Sequence, residues 1–179
     1  YFGGGCVKEH LLEAVKPYGE TVMLAYGGGS IKTNGIYQEV MDVLKLAGKQ
    51  VIEFSGIMPN PTYSKVMEGK KIVQENQVDL ILAVGGGSVM DCSKAISMAA
   101  ATDKDVWEEY WIKKGEIDFE PVPVGVIVTV VGTGSEVNGE GVITHEEQKI
   151  KTSRNYPRCN PVFAMMDPKY TYTVSPLQT

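Results

Sequence analysis

Twice in this chain a short apolar run ends in three glycines and a serine: Tyr26-Gly27-Gly28-Gly29-Ser30-Ile31 and Val84-Gly85-Gly86-Gly87-Ser88-Val89. The preceding runs, Thr21–Tyr26 and Asp79–Val84, are almost continuously apolar, as in a strand buried on both faces. Helix-spaced apolar residues follow each cluster. One glycine suffices for a turn that needs a positive φ, and three in succession carry an entropic cost that a plain connection does not require. In an open α/β sheet, ligands bind beyond the carboxyl ends of the strands. A helix N-terminus there offers free N–H groups and a partial positive charge. The pattern predicts an anion site at each loop, with Gly27, Gly28 and Ser30 in the first and Gly85, Gly86, Gly87 and Ser88 in the second. The GxGxxG dinucleotide fingerprint is absent.

The intervening sequence supports a parallel sheet. Val7, Leu11, Ala14, Val15 and Tyr18 predict a helix over 6–18, and Ile36, Val40, Val43, Leu44 and Ala47 another that stops at Gly48. Residues 50–55 read as a strand, and Thr62 as the N-cap of a helix carrying Val66 and Val73. After Asp79–Val84 comes a helix with Val89, Cys92, Ile96 and Ala99. A leading helix and three strand–helix units predict an α/β fold: an open, mostly parallel sheet with helices on both faces. Further on, the pattern predicts a short helix at Trp107–Ile112, a strand over Val124–Val131, a hairpin from Gly141–Thr144 to Lys149–Ser153, and a last strand over Val162–Met166.

Asp91 falls in the first turn of the helix after the second cluster. It reads either as a carboxylate matched to the helix dipole or as a group that fixes the loop or bonds a ligand. A third loop, Thr129–Asn138, crowds hydroxyls, glycines, an amide and Glu136 into ten residues after a strand, a composition suited to ligand contact. Glu136 alone reads equally as a solvated charge.

Composition removes several classes of function. With 179 residues, 43% apolar and 22% charged, the chain is long enough for one ordinary core. The net charge of −5 argues against nucleic-acid or anionic-membrane partners. No run is long enough for a membrane span and no signal peptide is visible, so a cytoplasmic location is expected. Cys6, Cys92 and Cys159 lack CxxC spacing and read as reduced thiols. His10 and His145 are few for a metalloenzyme.

Gly85–Asp91, Thr129 with Gly132–Glu136, and Pro161–Pro168 together resemble the iron-containing (group III) alcohol dehydrogenases, with the motifs in the same order across nearly the whole chain. Tyr26–Ser30 and Asn60-Pro61 resemble the NADPH-dependent, butanol dehydrogenase-like branch. The resemblance implies a dehydroquinate synthase-like, Rossmann-like N-terminal domain that binds the dinucleotide. It also implies a separate helical domain holding a divalent metal, iron or zinc, on one aspartate and three histidines. Residues 1–179 would be the nucleotide domain, without catalytic or metal-binding residues, and inactive alone. By the same resemblance Gly85–Ser88 cradle the pyrophosphate and Asp91 becomes a nucleotide-site residue. Thr129, Thr133 and Asn138 line the path of the ribose and nicotinamide, and Lys151, in preference to Lys149, is the cofactor-contacting lysine. The expected function is NAD(P)-dependent oxidation of small primary alcohols such as butanol, or reduction of the aldehydes, by a homodimer. Asp167 reads as structural. Val131 departs from the proline many relatives carry.

NADP is expected over NAD, because Tyr26, Ser30 and Lys32 stand near the end of the first strand and no carboxylate does. The rival readings are a glycerol dehydrogenase or dehydroquinate synthase-like metalloenzyme, and a non-catalytic nucleotide-binding module. Tyr1–Gly3 reads as an edge strand open to pairing.

Overall fold

A computed structural model describes residues 1–172 and 174. Five parallel strands form the sheet in the order β2-β1-β3-β4-β7: β1 Thr21–Tyr26, β2 Gln50–Phe54, β3 Leu80–Gly85, β4 Val124–Val128 and β7 Phe163–Met165. A separate antiparallel hairpin pairs β5 Glu140–His145 with β6 Ile150–Asn155. The order bears on function. The chain leaves β1 for β2 on one side and returns to β3 on the other, so the loops after β1 and β3 flank the point where strand order reverses, the usual ligand crevice of an open sheet.

The alternation of side chains along buried strands makes two cores. Met23, Ala25, Ile81, Ala83 and Val126 face helices α4 (Tyr63–Asn76) and α5 (Gly87–Ala100). Val22, Leu24, Leu80, Leu82 and Ile127 face α1 (Cys6–Val15) and α3 (Ile36–Leu46). This is the two-faced sheet that continuous apolar runs predict.

Local chemistry sets several boundaries where the sequence places them. Gly48, at φ +70, ends α3: its N–H donates to Lys45 O, and Lys49 N donates to Leu44 O, a Schellman stop. Thr62 accepts the N–H of Lys65 through Oγ1 and caps α4. Asp167 Oδ1 accepts from Lys169 N and Oδ2 from Gly5 N, so this aspartate ties the end of β7 to the start of the chain. Tyr1–Gly3 runs along β7 as the outermost segment, with Phe2 bridged to Met166.

Two expectations need correction. The strand predicted over Val124–Val131 stops at Val128. Thr129 N still donates to Gly85 O, but β3 ends there and offers nothing further to pair with. The first glycine cluster does not open the long helix. It leads into a single turn, α2 (Ser30–Thr33), and α3 begins separately after Gly35. The short helix expected at Trp107–Ile112 is present with those bounds, wound as a π-helix.

Candidate functional site

The loops after β1, β2, β3 and β4 meet the hairpin around one cleft of about 590 Å³. Its wall includes Gly28 from the first glycine loop, Pro59, Asn60 and Pro61 from the β2–α4 connection, and Gly86, Gly87, Ser88 and Asp91 from the start of α5. Val130, Thr133, Ser135 and Asn138 come from the third loop, and Glu140, Val142 and Lys151 from the hairpin. Of the residues singled out in sequence, Gly28, Gly86, Gly87, Ser88, Asp91, Thr133, Asn138 and Lys151 are therefore brought together. Gly27 lines an adjoining shallow hollow that shares Gly28. Gly85, Thr129 and Ser30 line neither. Gly85 is buried as the last residue of β3, and Ser30 is exposed on α2.

The cleft floor is the N-terminus of α5. Its N-cap is Gly86, which has no side chain to satisfy the free amides, so the first N–H groups of the helix remain available to a ligand. Glycine here also allows close packing: a Cβ on Gly86 would stand 3.0 Å from Val130 Cβ, and one on Gly87 2.7 Å from Thr133 Cγ2.

Behind this floor lies a buried polar network. Ser135 Oγ donates to Asp91 Oδ1 at 2.6 Å, and Val142 N donates to Asp91 Oδ2 at 3.1 Å. Lys94, one turn along α5 and 2% exposed, donates through Nζ to Ser135 Oγ at 2.7 Å, Glu140 O at 3.0 Å and Asn138 Oδ1 at 3.4 Å. Burial raises the Asp91 carboxyl above its ordinary value, opposed by its bonds to Ser135 and Val142. Burial brings the Lys94 ammonium down to about 8, opposed by the charge of Asp91. Together the two side chains bind α5 to the third loop and to β5. Glu136, which the sequence left open as a solvated charge, has its Oε2 buried with no partner among the described residues.

Lys151 Nζ donates to Asn60 Oδ1 at 2.5 Å and joins the hairpin to the β2–α4 loop across the mouth of the cleft. Thr144 N donates to Pro61 O beside it.

Sequence reasoning passes over two groups. Lys94 is the first, although its place three residues after Asp91, in a helix otherwise apolar or small, was a usable signal. The second is Glu53. The sequence reading finds no carboxylate near the end of β1, but β2 lies beside β1 and brings Glu53 to Tyr26, Lys32 and Tyr37.

The histidines lie elsewhere. His10 stacks on Tyr1, and His145 packs between Tyr63 and Trp107. Among the described residues no three of His, Cys, Asp and Glu gather as a metal site, and Asp91 in the cleft already has both oxygens engaged. The three cysteines are free and buried. No described helix is long and apolar enough to cross a membrane.

The family model for iron-containing alcohol dehydrogenase matches residues 1–168. The chain belongs to the iron-containing alcohol dehydrogenase family. Within this family it is 45% identical to the probable NADH-dependent butanol dehydrogenase 1 of Bacillus subtilis, over 97% of the chain and 44% of that protein. It is 39% identical to the NADPH-dependent aldehyde reductase YqhD of Escherichia coli, over 99% of the chain and 45% of that protein. The crystal structure of NADH-dependent butanol dehydrogenase A from Thermotoga maritima superposes with a TM-score of 0.93 at 37% identity, covering 99% of this chain and 44% of that one. The chain thus spans somewhat under half the length of the family members it matches.

Proposed function

We propose that residues 1–179 are the dinucleotide-binding domain of an NAD(P)-dependent alcohol dehydrogenase or aldehyde reductase acting on small primary alcohols such as butanol, or their aldehydes. One observation carries the reading: an uncapped helix N-terminus after β3 opens into a cleft built from the loops of neighbouring parallel strands. The names of the relatives support the substrate class.

A nicotinamide cofactor supplies hydride to an aldehyde or takes it from an alcohol. This chain's residues hold that cofactor. The amides of Gly87 and Ser88 meet the diphosphate, and the Ser88 hydroxyl donates to it. Thr133 and Asn138 lie along the ribose and nicotinamide, with Asn138 fixed by Lys94 and by Glu140 N. Lys151 bounds the mouth. NADP is the preferred cofactor in this reading: Lys32 stands beside the first glycine loop, and both oxygens of Glu53 already accept hydrogen bonds.

The described residues do not form a donor set for a divalent cation, so no step through a metal is assigned to them. In this proposal the iron or zinc ligands would belong to a separate helical domain, as the resemblance implies. The proposal extends to a cytoplasmic homodimer, with the exposed Phe2 at the outer sheet edge as one contact.

Calorimetric titration of the full chain with NADP and NAD tests the assignment. Saturable binding, displaced by inorganic pyrophosphate, is expected. Absence of binding by either dinucleotide would overturn it.

A further inference from the structure

Beside the cleft, and sharing Gly28 with it, lies a shallower hollow of about 290 Å³ lined by the Gly27–Gly29 peptides and by Tyr26, Lys32 and Gly56. Behind this wall is Glu53. Tyr26 Oη donates to its Oε2 at 2.5 Å, Lys32 Nζ donates to the same oxygen at 3.0 Å, and Tyr37 Oη donates to Oε1 at 2.7 Å. The Lys32 ammonium also lies 4.5 Å from the centroid of the Tyr37 ring. Two phenols, one cation and one anion thus form a charge-neutral group at the rim of the first glycine loop.

In the dinucleotide-binding reading, a cofactor with its diphosphate on α5 would direct its adenosine toward this hollow, which shares Gly28 with the cleft. The two forms of the cofactor differ only at the 2′ position of that ribose. A 2′-hydroxyl is best met by a free carboxylate, and a 2′-phosphate by an uncompensated cation. Here three donors occupy the carboxylate, and the carboxylate offsets part, not all, of the charge of the exposed ammonium.

We infer that Glu53 is a specificity-determining residue which, by pairing with Lys32, weakens the pull of that lysine on the 2′-phosphate of NADP and so brings the affinities for NADP and NAD closer together. The inference rests on the dinucleotide-binding reading. Hydrogen bonds from Tyr26, Tyr37 and Lys32 take the Glu53 carboxyl down to about 2. It is therefore a permanent counter-ion at neutral pH and not a switch. Lys32 is partly exposed, so its unpaired charge would act on a phosphate at short range and be screened by salt.

The experiment measures dissociation constants of the full chain for NADP and NAD, in wild type, Glu53→Gln and Lys32→Met. Glu53→Gln is expected to raise the NADP-to-NAD affinity ratio about tenfold, less at high salt, and Lys32→Met to lower it about tenfold. An unchanged or lower ratio for Glu53→Gln, with both dinucleotides still bound, overturns the inference and leaves the domain assignment standing. If wild type binds neither dinucleotide, the assignment itself fails. Should the Glu53→Gln chain not fold, Lys32→Met decides: a ratio within about twofold of wild type overturns the inference.

Discussion

The two glycine loops share the residues Gly-Gly-Gly-Ser and differ in what stands opposite them. At the second loop the space of each missing Cβ is already filled. A Cβ on Gly85 would lie 2.5 Å from Val89 Cγ2, on Gly86 3.0 Å from Val130 Cβ, and on Gly87 2.7 Å from Thr133 Cγ2. At the first loop, Gly28 and Gly29 have nothing within 4 Å, and only Gly27 has a close neighbour, Ile57 O at 3.2 Å. The second loop is glycine-rich because the protein packs against it. The first is glycine-rich where the chain turns, with Gly29 at φ +98, and where open space remains for a ligand. They also differ downstream. The second loop leads into the fourteen-residue α5, and the first into one turn of four residues, so only the second has a long helix dipole behind it.

If the second loop is a packed element, its supports should be the most sensitive part of the site. The largest expected effect is at Lys94. Lys94→Ala leaves Ser135, Asn138 and the Glu140 carbonyl without their buried donor and should cost about 3–5 kcal/mol in urea denaturation. A loss below about 1 kcal/mol would show that the network does not hold α5 to the third loop. The pH dependence sharpens the point. The folded-state value of Lys94, about 8, lies below that of an unfolded lysine. Between pH 8 and about 10.5 the folded chain therefore loses a proton that the unfolded chain keeps, and the Lys94 contribution to stability rises with pH. The stability of wild type minus that of Lys94→Met should climb across this window, by at most about 1.4 kcal/mol per pH unit. A flat difference would place the charge outside the buried network.

Next in size is a methyl group at Gly85. The obstructing atoms belong to Val89, a β-branched side chain fixed on α5, so relief requires backbone movement. Gly85→Ala should destabilise by about 2 kcal/mol. Gly28→Ala should behave in the opposite way. Its backbone lies outside the left-handed region and its surroundings are open, so thermal stability should change by less than about 0.5 kcal/mol. Because Gly28 lines both hollows, the same methyl should weaken dinucleotide binding about tenfold. Equal stability losses in the two variants would erase the distinction between the loops.

What the sequence reveals and what it hides follow the same division. Features written in a few consecutive residues are legible: the Schellman stop at Gly48, the Thr62 cap and the buried runs of β1 and β3. Features that depend on strand order are not. Glu53 precedes Phe54 in an ordinary edge strand, and only the pairing of Leu24 with Glu53 brings its carboxylate to the loop after β1. Lys94 escapes for a related reason. A lysine on a helix is usually solvated; the apolar and small residues around Lys94 hint at burial, but not that Ser135, Asn138 and Glu140, more than forty residues later, are the groups that close over it. The overrun of β4 shows the converse, since Val130 and Val131 favour a strand but have no partner beyond Gly85.

The smallest expected effect separates the two serines. Ser88 lies within the first turn of α5 and lines the cleft, whereas Ser30 is exposed on α2 and lines neither hollow. Ser88→Ala removes one hydroxyl donor to a bound anion and should weaken dinucleotide binding by about 1 kcal/mol, roughly fivefold. Ser30→Ala should change it by less than about twofold. Equal losses would mean that the first loop closes on the ligand as tightly as the second. Its open glycines would then be the unliganded form of a second phosphate cradle, and the packed and open loops would differ in timing, not in role.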